Sequence, residues 1–189
     1  MSSTAIQSGI SQAAFDAFLA ARDEPAWLRE KRVAAWRRFG ELPMPGRNDE
    51  EWMRTDIRLF KLERFSLPAG GGPEGELPGH ALMEGVTFAG YTAALDSRPL
   101  ATEFSGAFTS PANRKGVLFG SLDEAVRSHR DLLRPHLFRA VDPVADKFAA
   151  LHAACWSGGT VLYVPRGVVV EQPFHMLSAI RPGGVDFGH

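Results

Sequence analysis

The sequence predicts an α+β chain that is helical in its first part and strand-forming toward its end. Three observations carry that prediction. Apolar residues recur at helical spacing between Ser11 and Phe39. The stretch from Ser66 to His80 holds eight of the chain's glycines and prolines and suits neither helix nor strand. From Thr160 the hydrophobic period changes to two, as a pleated strand requires.

The helical part takes its elements from caps and stripes. Ser11 is placed to cap a first helix whose Ala14, Phe15, Phe18 and Leu19 share one face. A second helix is expected from near Asp23, with Pro25 at the tolerated first position. Its Leu28, Ala35, Trp36 and Phe39 follow at i, i+7, i+8 and i+11, and Gly40 supplies the stop. Leu42-Pro43-Met44-Pro45 then forces an extended break, since each proline disfavours helix in the residue before it. Asn48 with Glu51 three residues on resembles a capping box and predicts a short third helix carrying Trp52.

The later part mixes both periods. Gly85–Tyr91 and Lys115–Phe119 read as short strands, the second running into Ser121-Leu122-Asp123-Glu124, a capping box that predicts a helix through Leu133. Asp142-Pro143 predicts another helix, with Val144, Phe148, Leu151 and Cys155 on one stripe. Val161 and Tyr163 share a strand face, Pro165-Arg166-Gly167 turns the chain, and Val168–Val170 forms an apolar run. Short strands between tight turns imply a sheet that coils on itself, either a sandwich or a parallel β-helix. The expected organisation is a helical domain over 1–65, a Gly/Pro-rich linker over 66–84, a mixed connecting region over 85–159, and the first strands of a β core over 160–189. That core opens a strand edge at Arg181–His189 without closing it, so the sequence reads as the front portion of a longer protein.

Composition narrows the function. Lys+Arg 21 against Asp+Glu 22 leaves a net charge of -1, which recruits neither nucleic acid nor anionic lipid. The one cysteine, Cys155, forms no internal disulfide and no cysteine-rich zinc site. Ser2, Ser3 and Thr4 lack the basic-then-apolar order of a secretory leader, and no run reaches the roughly 18 apolar residues a membrane helix needs. The expectation is a cytoplasmic protein with no membrane partner.

Candidate chemistry is sparse. Gly70–Gly75 matches Gly-x-Gly-x-x-Gly in letters, but Pro68, Pro73 and Pro78 deny it the strand-loop-helix setting that binds dinucleotides. No Gly-x-x-x-x-Gly-Lys-[Ser/Thr] loop is present, so the chain should not hydrolyse ATP alone. His152 and Cys155 stand three apart on one expected helix, which is too few ligands for a metal, and a cysteine on an apolar stripe reads as core. His80, His129, His136, His175 and His189 each stand alone. The second helix interleaves Arg29, Lys31, Arg32, Arg37 and Arg38 with Trp27 and Trp36, which supports an alternative role as an RNA- or DNA-binding module. Against it, tryptophans at helical spacing face a core, and the overall charge is neutral. No residue is assigned as catalytic, cofactor-binding or metal-ligating.

Three stretches, in order along the chain, carry a resemblance. They are Glu24–Arg29 leading through Leu42-Pro43-Met44-Pro45 to Asp49–Asp56; Lys115–Phe119 with Ser121–Ala125; and Lys147–Ala154 followed by Tyr163-Val164-Pro165-Arg166-Gly167-Val168-Val169-Val170-Glu171-Gln172-Pro173. Together they resemble the SufB/SufD family of iron–sulfur cluster assembly proteins, and Leu-Pro-x-Pro before Asp-Glu-Glu-Trp looks more like the SufD branch than the SufB-like scaffold. The resemblance implies a helical domain leading into a right-handed parallel β-helix. It also implies a non-catalytic subunit that partners SufB-like and SufC-like proteins, the latter an ATPase, in a complex that builds an iron–sulfur cluster. The cysteine, histidine and SufC-binding groups of that family match no position here, so this stretch is expected to bind no cofactor itself.

Overall fold

The computed structural model describes residues 9–67 and 85–180. They divide into two compact units, each discontinuous in sequence: 9–67 with 131–156, and 85–130 with 157–180. The Gly/Pro-rich stretch, including Gly70–Gly75 and His80, and the terminal Arg181–His189 lie outside the described residues, as does most of the expected linker.

The first unit is built on α1 (Gln12–Ala20), α2 (Ala26–Glu41) and a later helix, Lys147–Cys155. Ser11 caps α1 as expected, its Oγ accepting from the Ala14 amide at 3.2 Å. Phe15, Phe18 and Leu19 are buried from α1, and Trp27, Leu28 and Ala35 from α2. Trp36 lies flat on Phe15 with centroids 4.4 Å apart, while its indole nitrogen donates to Gln12 Oε1 at 2.6 Å. Helix α2 starts after Pro25 and runs on through Gly40 to Glu41, so the extended Leu42 ends it and Gly40 does not.

No third helix forms around Trp52. Amide bonds from Asp49 to Gly46 O, Trp52 to Asp49 O and Thr55 to Trp52 O make successive three-residue turns, while Asp49 Oδ2 accepts from the Gly46 amide at 2.6 Å. Short acidic and amide side chains compete for the backbone in this way, and the competition defeats the capping box read from Asn48. Short 3₁₀ turns at Ile57–Leu59 and Leu62–Arg64 follow.

The second unit holds a three-stranded sheet and a two-stranded ladder. Strand β1 (Gly90–Leu95) lies between β2 (Arg98–Phe104), antiparallel, and β5 (Phe174–Ala179), parallel; β3 (Leu118–Ser121) pairs antiparallel with β4 (Thr160–Tyr163). Asp96 and Ser97 join β1 to β2 with φ of 49° and 62°, the left-handed pair that a two-residue hairpin of right twist requires. Gly90 is compulsory for space: a Cβ there would stand 2.7 Å from Glu103 O. Phe119 and Phe174 pack at 4.4 Å between the sheets, with Phe104 and Phe108 edge-on to Phe174. Thr92 and Thr160 hydroxyls meet at 3.1 Å. These sheets are small and mixed, without a solenoid repeat among the described residues.

Several element boundaries differ from the sequence expectation. The strand expected over Gly85–Tyr91 begins at Gly90, and β2 follows where none was anticipated. Ser121 belongs to the β3–β4 ladder opposite Thr160, so its hydroxyl caps nothing. The helix after it divides into α3 (Leu122–Ser128) and the single turn α4 (Arg130–Leu133). The next helix, α5 (Lys147–Cys155), starts at neither Asp142 nor Pro143. Asp142 closes a local turn onto the Val144 amide, whereas Asp146 Oδ1 accepts from Phe148 and Ala149 at 2.7 and 2.8 Å. Val144 is therefore exposed instead of lying on the buried stripe. Val168–Val170 is coil, and Tyr163 is exposed on the face where Val161 is buried.

Candidate functional site

The first unit packs α2 against α5 through the small side chains of Ala150, Ala153 and Ala154. Two cations lock the pair at opposite ends. Lys147 Nζ, at the start of α5, donates to Phe39 O and Leu42 O at 2.6 and 2.7 Å, satisfying carbonyls at the end of α2. Arg32, midway along α2, donates through Nη1 to Ala154 O and Trp156 O at 3.1 and 2.9 Å, where α5 ends. The helices thus run antiparallel, the carbonyls at each C-terminal end bound by a cation of the other helix.

Arg32 is wholly buried at 0% exposure, its guanidinium 4.3 Å from the Trp156 ring centre and 5.4 Å from that of Phe18. A buried charge demands a partner. Glu24 Oε2 supplies it, 2.9 Å from Arg32 Nε, and Arg22 Nε approaches the same oxygen at 3.4 Å. The structure separates Arg32 from the other cations of α2 and puts it, with Trp27, in the core. Of the residues in the RNA- or DNA-binding alternative, Trp27 and Arg32 are buried, Trp36 is half-buried, and Arg29, Lys31 and Arg37 are exposed.

His152 and Cys155 differ in burial on α5. Cys155 is fully buried, and burial pushes its thiol up to about 12 against a smaller opposing pull from Arg32. His152 lies on the exposed side of α5, its pKa lowered by partial burial and then by the Arg32 charge. Among the described residues no group of three or more His, Cys, Asp or Glu side chains could hold a metal ion, and no helix is long and apolar enough to cross a membrane. His175 sits on β5 with its ring 5.0 Å from Phe88, away from any carboxylate cluster; His129 and His136 are exposed.

One concavity in the first unit is built by residues that the sequence had singled out. Leu42, Pro43 and Pro45 form one wall, the Asn48–Trp52 turns another, and Ala145, Asp146 and Lys147 the third, around a groove of about 420 Å³. Trp52 is braced from behind by Phe148 at 5.1 Å, which Phe60 meets edge-on at 5.5 Å. Asp49, Glu50, Glu51 and Asp146 make the lining acidic, while its one cation, Lys147, is spent on Phe39 O and Leu42 O. The sequence signal was present in Leu-Pro-x-Pro and Asp-Glu-Glu-Trp, but only the fold brings α5 alongside to close the groove.

In the second unit, among the described residues, β4 pairs only with β3 and β5 only with β1. Leu162, Val169, Met176 and Ile180 are exposed there.

Residues 100–176, which run from β2 into β5, match the family described as SufBD protein N-terminal region. The chain is 26% identical over 175 residues to the iron–sulfur cluster assembly protein SufB of Bacillus subtilis, covering 85% of this chain and 36% of that protein. It is 30% identical over 170 residues to an iron–sulfur cluster assembly SufBD family protein of Staphylococcus epidermidis, with the same shares covered. A SufBD family protein of Mycobacterium tuberculosis is 31% identical over 193 residues, covering 93% of this chain and 21% of its own. Over most of its length the chain is similar to the N-terminal part of SufBD-family iron–sulfur cluster assembly proteins. It spans about a third of the length of the first of these relatives and about a fifth of the mycobacterial one.

Proposed function

We propose that the protein is a SufD-like, non-catalytic subunit of a cytoplasmic iron–sulfur cluster assembly complex, working beside SufB-like and SufC-like subunits. The observation that supports this most is the SufBD N-terminal match across β2 to β5. Leu42-Pro43-Met44-Pro45 followed by Asp49-Glu50-Glu51-Trp52 favours the SufD branch, although SufB itself is among the similar proteins. In this reading the cluster is cargo of the assembled complex. Cys155 serves packing, as its burial and unreactive thiol suit. A right-handed parallel β-helix in the whole protein belongs to the same proposal.

Co-expression tests it. The full-length protein, tagged and purified with its SufB-like and SufC-like counterparts, is expected to elute as one complex that supports cluster transfer to an apoprotein. A protein that elutes alone in the presence of both overturns the proposal. Clusters assembled on this subunit without a SufB-like partner would reassign it to the scaffold role.

A further inference from the structure

We propose that the groove beside Trp52 is a docking site for an extended, proline-containing segment of a partner protein carrying arginine or lysine. The inference goes beyond the cluster-assembly reading and does not rest on it.

The walls define the shape of the occupant. Leu42, Pro43 and Pro45 line the groove together with Trp52, whose ring packs on Phe148 at 5.1 Å. Proline and aromatic walls suit a polyproline-type segment, which is extended before it binds and has little ordering entropy to lose. A groove of about 420 Å³ falls within the size range of ligand sites and takes a few residues of such a segment.

The rim defines its charge. Asp49 is occupied by the Gly46 amide and Asp146 by the Phe148 and Ala149 amides. Glu50 and Glu51 are exposed and make no hydrogen bond or ion pair among the described residues. Their charge is left for an incoming cation, which also finds the Trp52 ring to lie against. A nucleic acid or an acidic peptide would meet repulsion from the same rim.

The test uses the intact 189-residue chain, labelled with ¹⁵N, and two capped probe peptides: Arg-Pro-Leu-Pro-Arg and its counterpart Glu-Pro-Leu-Pro-Glu. The basic peptide is expected to shift the Trp52 indole signal and the amides of Gly46, Asn48–Glu51 and Ala145–Lys147, and the acidic one to leave them in place. The double variant Glu50→Lys/Glu51→Lys changes exposed side chains only, so its circular dichroism should be unaltered while the basic peptide binds at least about tenfold more weakly. Raising salt from about 50 to 300 mM should weaken the wild-type response several-fold. No shift at about 1 mM basic peptide, equal shifts from both peptides, or shifts centred on Trp27 and Trp36 would overturn the proposal. So would groove signals that move with protein concentration alone, since they would make a second copy the occupant.

Discussion

Replacing Arg32 by methionine tests the central claim about the first unit. The substitution keeps most of the side-chain volume but leaves Glu24 without its main counter-charge and removes the donor to Ala154 O and Trp156 O. Breaking a buried pair by deleting one partner costs about 3–5 kcal/mol, because the remaining charge stays desolvated. The lower end applies, since Arg22 lies 3.4 Å from the same Glu24 oxygen and takes up part of the charge. With a urea slope of about 2 kcal/mol per molar, a loss of about 3 kcal/mol lowers the unfolding midpoint by about 1.5 M. Tryptophan fluorescence reports it directly, because Trp156 lies against the guanidinium. The double variant Arg32→Met/Glu24→Leu removes both charges and should be more stable than Arg32→Met by at least about 1 kcal/mol. A midpoint shift below about 0.3 M for the single variant, or a double variant that is simply additive, would refute the assignment of Arg32 and Glu24 as a mutually dependent buried pair.

Other outcomes follow from the same contacts. Lys147→Met leaves Phe39 O and Leu42 O without their donor and should cost about 1–3 kcal/mol in urea unfolding, with Lys147→Arg recovering part of it. Gly90→Ala puts a methyl 2.7 Å from Glu103 O, so hydrogen exchange across β1 and β2 should accelerate even if the fold survives. Cys155 should resist alkylation at pH 8 until urea unfolds the chain; labelling of the native protein at the rate of a free thiol would contradict its burial. The same thiol sets a pH limit. Its folded pKa is raised to about 12 from an ordinary value of 9.0, so the unfolded chain loses its proton first as pH rises. The contribution of Cys155 to stability is unchanged below about pH 9 and falls above it by up to about 1.4 kcal/mol per pH unit, a part of the alkaline slope that Cys155→Ala should remove.

The parts of the fold legible in the sequence are those fixed by local chemistry. Ser11 announced α1, the apolar spacing of Leu28 and Ala35 announced α2, and Phe148 to Cys155 announced α5. Errors arose where distant partners decide. Ser121 looked like a cap until Thr160, brought back from far along the chain, took it into a ladder. Asp96-Ser97 hides a hairpin because neither residue is the Gly or Asn that usually marks positive φ. Arg32 is the sharpest case. Helical periodicity assigns a cation among cations to solvent, and only the carbonyl ends of α5, more than a hundred residues away, make its burial possible. The groove was half legible: its prolines and acids were conspicuous, whereas the wall at Ala145–Lys147 comes from a non-adjacent segment.

The split connectivity of the first unit has a consequence for its birth on the ribosome. Helices α1 and α2 emerge early, yet the groups that receive the Arg32 guanidinium arrive only with the end of α5 and Trp156, about 115 residues after α2 ends. At about 5–20 residues per second, the nascent N-terminal helices wait some 6–23 seconds with their apolar stripes exposed. During that interval Glu24 and Arg32 remain hydrated, and the strands of the second unit up to β3 are synthesised in between. A chaperone that holds amphipathic helices therefore has its longest opportunity before residue 156 appears, and slowing translation between residues 41 and 156 should lower the soluble yield.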